Sequence, residues 1–146
     1  MEIEIKLDES MTTPKLIIIT DKITEEVSEI IERIKVGKKE IVSGTKGDII
    51  EVIKVRDIVR IYSENKKNII RTENNSYVSR QRLYEFEDFL DKKYFIRISN
   101  SEIINLHMVK NLDLSISGTI CVKFLNGDTT FASRRYVARL KKTLEI

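Results

Sequence analysis

Cysteine, histidine and proline each occur once in the 146 residues, and tryptophan not at all. One cysteine, Cys121, excludes a disulfide framework and a cysteine-rich zinc site. One histidine, His107, excludes a histidine-cluster metal centre. One proline and five glycines exclude a collagen-like or Gly/Pro-rich disordered chain. Long apolar runs are missing too. The longest uncharged stretch is Leu114 to Val122, far short of the roughly 20 apolar residues of a membrane span. Met1-Glu-Ile-Glu-Ile-Lys6 is charged where the apolar core of a signal peptide would begin. These absences lead us to expect a cytoplasmic protein in a reducing compartment.

Charge, in contrast, is plentiful: 34% of the residues are charged, against about 25% in an average globular protein. The net charge of +3 hides an asymmetry. Residues 1–46 hold 10 acids and 8 bases, whereas residues 47–146 hold 13 acids and 18 bases. Nine of the ten arginines lie in the second part, and arginine's planar fork of donors matches phosphate and guanine edges.

The first part reads as a ββα unit. Ile3, Ile5 and Leu7 alternate with charged residues, the period of a half-buried strand, and Leu16–Ile19 are four β-formers. Ile23, Val27, Ile30, Ile31 and Ile34 then form one helical stripe. Thr20 or Asp21 serves as its cap and Gly37 as its stop. Lys38-Lys39 reads as a short linker. From Glu40 the texture changes to short strands at 41–42, 49–55, 58–63, 68–72, 94–98, 103–106, 120–125 and 129–133. A helix is expected at about 80–91, where Leu83, Phe86 and Leu90 share a face, and a short helix or frayed tail at 139–146. Asn126-Gly127 is a strong hairpin signal. A two-residue turn there pairs Val122 with Phe131 and Phe124 with Thr129.

Catalysis finds little support. No serine or cysteine stands in a nucleophile motif beside His107, and the carboxylates are scattered. No Gly-rich phosphate loop, metalloprotease helix or EF-hand is present. Cys121 falls in a strand, where a free cysteine is a small buried hydrophobe. Basic turns are the better lead. Asn65-Lys66-Lys67, Arg97 with Ser99-Asn100-Ser101, and Ser133-Arg134-Arg135-Tyr136 each mix cations with small polar or aromatic side chains. Such mixtures neutralise phosphates and bond base edges. The plain alternative is three unrelated solvated turns.

Four segments in order then resemble the LytTR family of bacterial DNA-binding domains. They are Asp57-Ile-Val-Arg-Ile-Tyr-Ser-Glu-Asn-Lys-Lys67; Tyr77 with Arg80-Gln-Arg-Leu83, Phe86-Glu87 and Phe89-Leu90; Phe95-Ile-Arg-Ile-Ser-Asn-Ser101 with Ile104-Asn105-Leu106; and Asn126-Gly127 with Ser133-Arg-Arg-Tyr136 and Leu140. The resemblance spans about 47–142. It implies a mainly β fold, an elongated stack of antiparallel sheets with short helices, here preceded by the ββα unit. It also implies loops that enter successive major grooves of double-stranded promoter DNA, with no recognition helix, catalysis, cofactor, metal or small-molecule substrate. Carried over, Asn65, Lys66, Lys67, Arg97, Ser99, Asn100, Ser101, Ser133, Arg134, Arg135 and Tyr136 meet the DNA. Asn100 and Arg135 are expected at base edges, and Lys66, Lys67, Arg97 and Arg134 at phosphates. The family often has histidine where this chain has Ser99, so that contact differs here. A receiver domain usually precedes such a domain, and 46 residues cannot hold one. The expected organisation is a regulatory or dimerisation unit at 1–46 and a DNA-binding domain at 47–146. The expected partners are promoter DNA, a second copy at least on DNA, and a membrane-bound regulator of the kind that controls some stand-alone members. The rival from another class is a protein-interaction module whose basic loops hold an acidic partner. RNA is a weaker third, because the aromatics form no stacking platform.

Overall fold

A computed structural model describes residues 1–35 and 39–146. The expected stop at Gly37 and the Lys38 half of the linker lie outside the described residues. The contacts divide the chain into Met1–Lys35 and Val36–Ile146. The strand expected at 41–42, Ile41–Lys46 in the structure, is part of the second unit's sheet.

In the first unit the one regular element is α1, Glu25–Lys35. The two strands expected at 3–7 and 16–19 do not form. Ile3, Ile5, Leu7 and Leu16–Ile19 stand exposed without a ladder partner. Alternation makes a strand only where another strand accepts its peptide groups, and two strands alone are marginal in water. The cap also differs from expectation. Thr24 accepts the Val27 N–H through Oγ1 at 3.3 Å, so the helix starts after Thr24 and leaves Ile23 outside it.

The second unit is mainly β. Its strands are β1 (Ile41–Lys46), β2 (Ile49–Lys54), β3 (Arg60–Glu64), β4 (Lys67–Arg71), β5 (Ser76–Ser79), β6 (Phe95–Ser99), β7 (Glu102–Asn105), β8 (Val109–Asp113), β9 (Ile120–Phe124) and β10 (Thr129–Ala132). Helix α2 (Leu83–Phe89) lies between β5 and β6, and α3 (Arg134–Leu144) follows β10. Seven strands form one antiparallel sheet in the order β2-β1-β5-β4-β3-β7-β6, and β10-β9-β8 form a second. Strands β5 and β8 escape the sequence pattern because Ser76–Ser79 and Val109–Asp113 are too polar to signal a strand.

Strand alternation gives the large sheet two buried faces. Val42, Ile53, Ile61, Ile70 and Ile103 point to one side, where Leu83 and Phe86 of α2 cover them. Ile96, Ile98 and Ile104 point to the other, against Ile120, Val122 and Phe124 of the small sheet and Leu140 of α3. Strand β7 is buried on both faces for this reason. Asn105 ends it: its Nδ2 donates to the Ile58 carbonyl at 2.8 Å and its Oδ1 accepts the His107 N–H at 3.0 Å. Asn105, one of the residues that carry the resemblance, thus holds the end of β7 to the segment before β3.

The β9–β10 hairpin is shifted by one residue from expectation. Thr130 pairs with Val122 and Phe131 with Cys121. The turn has three residues, closed by Gly127 N–H to Phe124 O and Phe124 N–H to Asp128 O. Gly127 alone has a positive φ, 91°, and the Asn126 side chain instead accepts the Asp128 N–H. This is the type I turn with a glycine bulge, not the two-residue turn. A one-residue slip exchanges faces. Phe131 thus points to solvent, and Thr130 points inward to donate to Glu102 at 2.8 Å.

The shift brings Asp128 into an ionic cluster that joins the sheets. Arg60 and Arg71 stand opposite each other on β3 and β4, a repulsive pair by itself. Asp128 sits between them, 2.9 Å from Arg71 Nε and 3.5 Å from Arg60. Arg60 also bonds the buried Glu102 at 3.3 Å. The Arg71 hydrogen bonds hold the Asp128 carboxyl below its ordinary range. Burial pushes Glu102 the other way, opposed by Thr130 and Arg60.

A depressed carboxyl stabilises the fold above the unfolded value of about 4, and that contribution fades as pH falls through and below it. Asp128→Asn should therefore cost about 1–3 kcal/mol at pH 7. Urea unfolding of both proteins checks this: the deficit narrows as the pH is lowered through 4. An equal deficit at both ends would show that the charge of Asp128 is immaterial.

Candidate nucleic-acid interface

The three basic segments lie on neighbouring elements and are joined by backbone hydrogen bonds. The first is the β3–β4 turn. Glu64 pairs with Lys67, leaving Asn65 and Lys66 as the two turn residues, with φ of 50° and 64°. Two positive φ values make the tight hairpin turn whose twist matches its strands, and asparagine tolerates that region. Asn65, Lys66 and Lys67 are all exposed. Below them Ser63 Oγ donates to Asn68 at 2.5 Å, and Asn68 donates to the Gln81 carbonyl at 2.8 Å.

The second segment is the β6–β7 turn at Asn100-Ser101, beside a bulge between Arg97 and Ser99. The Ser63 N–H donates to the Ser101 carbonyl at 2.8 Å, which fastens the first turn to the second. Ser99 Oγ accepts the Ser101 N–H at 3.2 Å and lies 3.3 Å from Ser101 Oγ. Arg97 folds back over this turn. Its guanidinium donates to the Ser99 carbonyl at 2.7 Å, to the Asn100 carbonyl and to the Glu87 carboxylate of α2. Its side chain is 15% exposed. The guanidinium expected at a phosphate thus makes three bonds within the protein. Glu87 gave no sign of this role in the sequence, where it is one acid among several on α2.

The third segment is not a loop but the start of α3. Ser133 occupies the cap position, and Arg134, Arg135 and Tyr136 form the first turn. The expected helix at 139–146 thus begins five residues earlier. Helix α3 carries Arg134, Arg135, Arg139, Lys141 and Lys142 and no acid. Leu140, fully buried, anchors it on the core. The Ser133 N–H donates to the Ile98 carbonyl at 2.8 Å, and Tyr136 donates to Asn100 Oδ1 at 3.0 Å. The second and third segments are therefore one structure. Ser133, Arg134 and Arg135 are exposed, as are Asn100 and Ser101, while Ser99 and Tyr136 are half-buried.

Two arginines in a first turn with no acid oppose the helix dipole, whose amino end is already positive. A bound anion relieves both. Phosphate is the anion that helix amino ends and arginine forks suit best.

The family described as the LytTr DNA-binding domain matches residues 48–145. The chain belongs to this family. A LytTr DNA-binding domain from Bacillus cereus has the same fold, with a TM-score of 0.72, 24% identity, and coverage of 74% of this chain and 99% of that one. A protein of Staphylococcus aureus strain NCTC 8325 named as an HTH-type transcriptional regulator is 30% identical, over all of this chain and 99% of its own length. One of strain MRSA252, with the same kind of name, is 29% identical over the same span. The likeness to both extends through residues 1–46. Among the described residues no two helices are consecutive elements, so the basic surface of this LytTr chain is not a helix-turn-helix. No helix among them is long and apolar enough to cross a membrane.

If Arg97 shapes the turn, Arg97→Ala should speed amide hydrogen exchange at Ser99–Ser101 in the protein without DNA, while Arg134→Ala should not. Unchanged exchange in Arg97→Ala would return the guanidinium to the solvent-facing set.

Proposed function

We propose that this chain binds double-stranded promoter DNA sequence-specifically and regulates transcription. The observation that carries this reading is the continuity of the three basic segments. Hydrogen bonds from Ser63 to Ser101 and from Ser133 to Ile98 join two exposed turns and a basic helix start into one surface. Family membership supplies the class of ligand.

The roles follow from what each side chain has left to offer. Lys66, Lys67 and Arg134 meet phosphates. Asn65 and Ser133 support the same strand of backbone with neutral donors, and Ser99 and Ser101 brace the second turn. Arg135 reads a base edge in a major groove. Asn100 keeps its Nδ2 donors free, since Tyr136 bonds to its Oδ1. It therefore donates to a base acceptor. Arg97 positions these groups. A second copy binds alongside on the same promoter. The control input enters through residues 1–35. A regulatory partner, membrane-bound in the manner the sequence resemblance implies, covers the exposed Ile3, Ile5, Leu7 and Leu16–Ile19.

About four to eight phosphate contacts per protomer give a log–log salt slope of roughly −4 to −7. Fluorescence anisotropy on a duplex selected by the full chain measures it. A slope near zero, or equal affinity for a scrambled duplex, overturns the proposal.

Arg135→Ala should cost about 1–3 kcal/mol of specific binding and relax preference at one base pair. Lys67→Ala should weaken selected and scrambled duplexes alike and reduce the salt slope by about 1. Equal losses by both variants on both duplexes would contradict this division of labour.

A further inference from the structure

The seven-stranded sheet has two edges, and they are built differently. Strand β6 is broken by the bulge between Arg97 and Ser99 and is packed by α3. Strand β2 carries Glu51 and Lys54 but lacks the other usual protections, a bulge, a proline or a covering helix. It holds six consecutive pairs with β1 without a register shift, and it contains no proline. Its residues Ile49, Ile50 and Val52 are 63%, 72% and 68% exposed. Ile41, on β1 opposite Lys54, extends the same apolar face as Ile50 and Val52.

The ladder fixes which peptide groups are free. Lys46 and Ile49 close a two-residue turn at Gly47-Asp48, so Ile49, Glu51 and Ile53 bond to β1. Val55 N–H to Glu40 O, at 2.9 Å, continues that phase. Ile50, Val52 and Lys54 therefore turn their N–H and C=O groups outward, along the open edge.

We propose that β2 is a homodimerisation edge. Two copies pair antiparallel through Ile50, Val52 and Lys54 about a two-fold axis at Val52, continuing the sheet from one chain into the next. Only residues of like phase can face each other across such an axis, and charge selects among the registers. An axis at Val52 sets Val52 against Val52 and Ile50 against Lys54, with no like charges opposed. It also brings Asp48 to the end where the second copy carries Lys54 and Arg56, and this happens twice by symmetry. An axis at Glu51 would oppose two glutamates. An axis at Ile50 would carry Lys54 past the Gly47-Asp48 turn of the second copy, where no strand residue lies opposite it. The chosen register also gathers Ile50 and Val52 of both copies, flanked by Ile41, into one apolar strip. That self-complementarity is the reason the occupant is a second copy of this chain. The proposal does not depend on the DNA reading.

Sedimentation equilibrium of the full chain, from micromolar to submillimolar, tests it. The unmodified chain should show a concentration-dependent dimer. Val52→Lys and Ile50→Lys should raise its dissociation constant at least about tenfold. Ile50→Glu, which faces Lys54 of the second copy, should leave it unchanged or lower. Thermal unfolding of each variant reports folding separately, and binding of one duplex site should be equal in all. A chain that stays monomeric throughout, or a dimer that ignores Val52→Lys and Ile50→Lys, overturns the proposal.

Discussion

The cluster of Arg60, Arg71, Glu102 and Asp128 sets how the two sheets are registered on each other. Arg60 and Arg71 come from adjacent strands of the large sheet, and Asp128 comes from the hairpin turn of the small one. Without Asp128 two guanidiniums would face each other across β3 and β4. Without Arg60 the carboxylate of Glu102 would be buried with only Thr130. Each charge is tolerable only because the others are present, which couples the β9–β10 hairpin to β3, β4 and β7. The apolar layer between the sheets, from Ile96 and Ile104 to Val122 and Phe124, supplies the adhesion. The ions supply the register.

That register matters because the proposed binding surface hangs from it. Strand β3 leads into the first turn, β7 leaves the second, and β10 delivers Ser133 to the start of α3. Fixing β3 and β7 against the β9–β10 hairpin therefore fixes three separate sequence segments relative to one another. The interface itself divides its cations by task. Arg97 is turned inward to hold a turn, and Arg134 and Arg135 are turned outward at a helix end that electrostatics disfavours. A fold that sets like charge on a positive helix end departs from local preference, as folds do at functional sites.

Much of this was legible in the sequence, and the failures have physical causes. The family, the mainly β class and the positions of the three basic segments follow from ordered motifs and strand alternation. Residues 3–7 alternate like a strand and 16–19 are an unbroken run of β-formers, but neither finds a partner, since a local pattern does not report the neighbour that must cover it. The Asn126-Gly127 signal located the hairpin but missed its register. The Asn126 side chain bonds the Asp128 N–H, which favours the three-residue turn. The helix at Arg134 was hidden because two arginines at a helix start look like a basic loop. Arg97 looked free because Glu87, ten residues earlier, comes near it only when α2 packs on the sheet. The ion cluster could not be foreseen from residues spread between 60 and 128, and β5 and β8 are strands by pairing more than by composition.

The central claim is that two turns and a helix start act as one DNA-reading surface. Amide chemical-shift mapping of the labelled full chain, titrated with a selected duplex, tests it most directly. Shifts should concentrate at residues 65–67, 99–101 and 133–136 and move together along one saturation curve. Shifts confined to one of these segments, or centred on residues 1–35 or the β1–β2 hairpin, would contradict it.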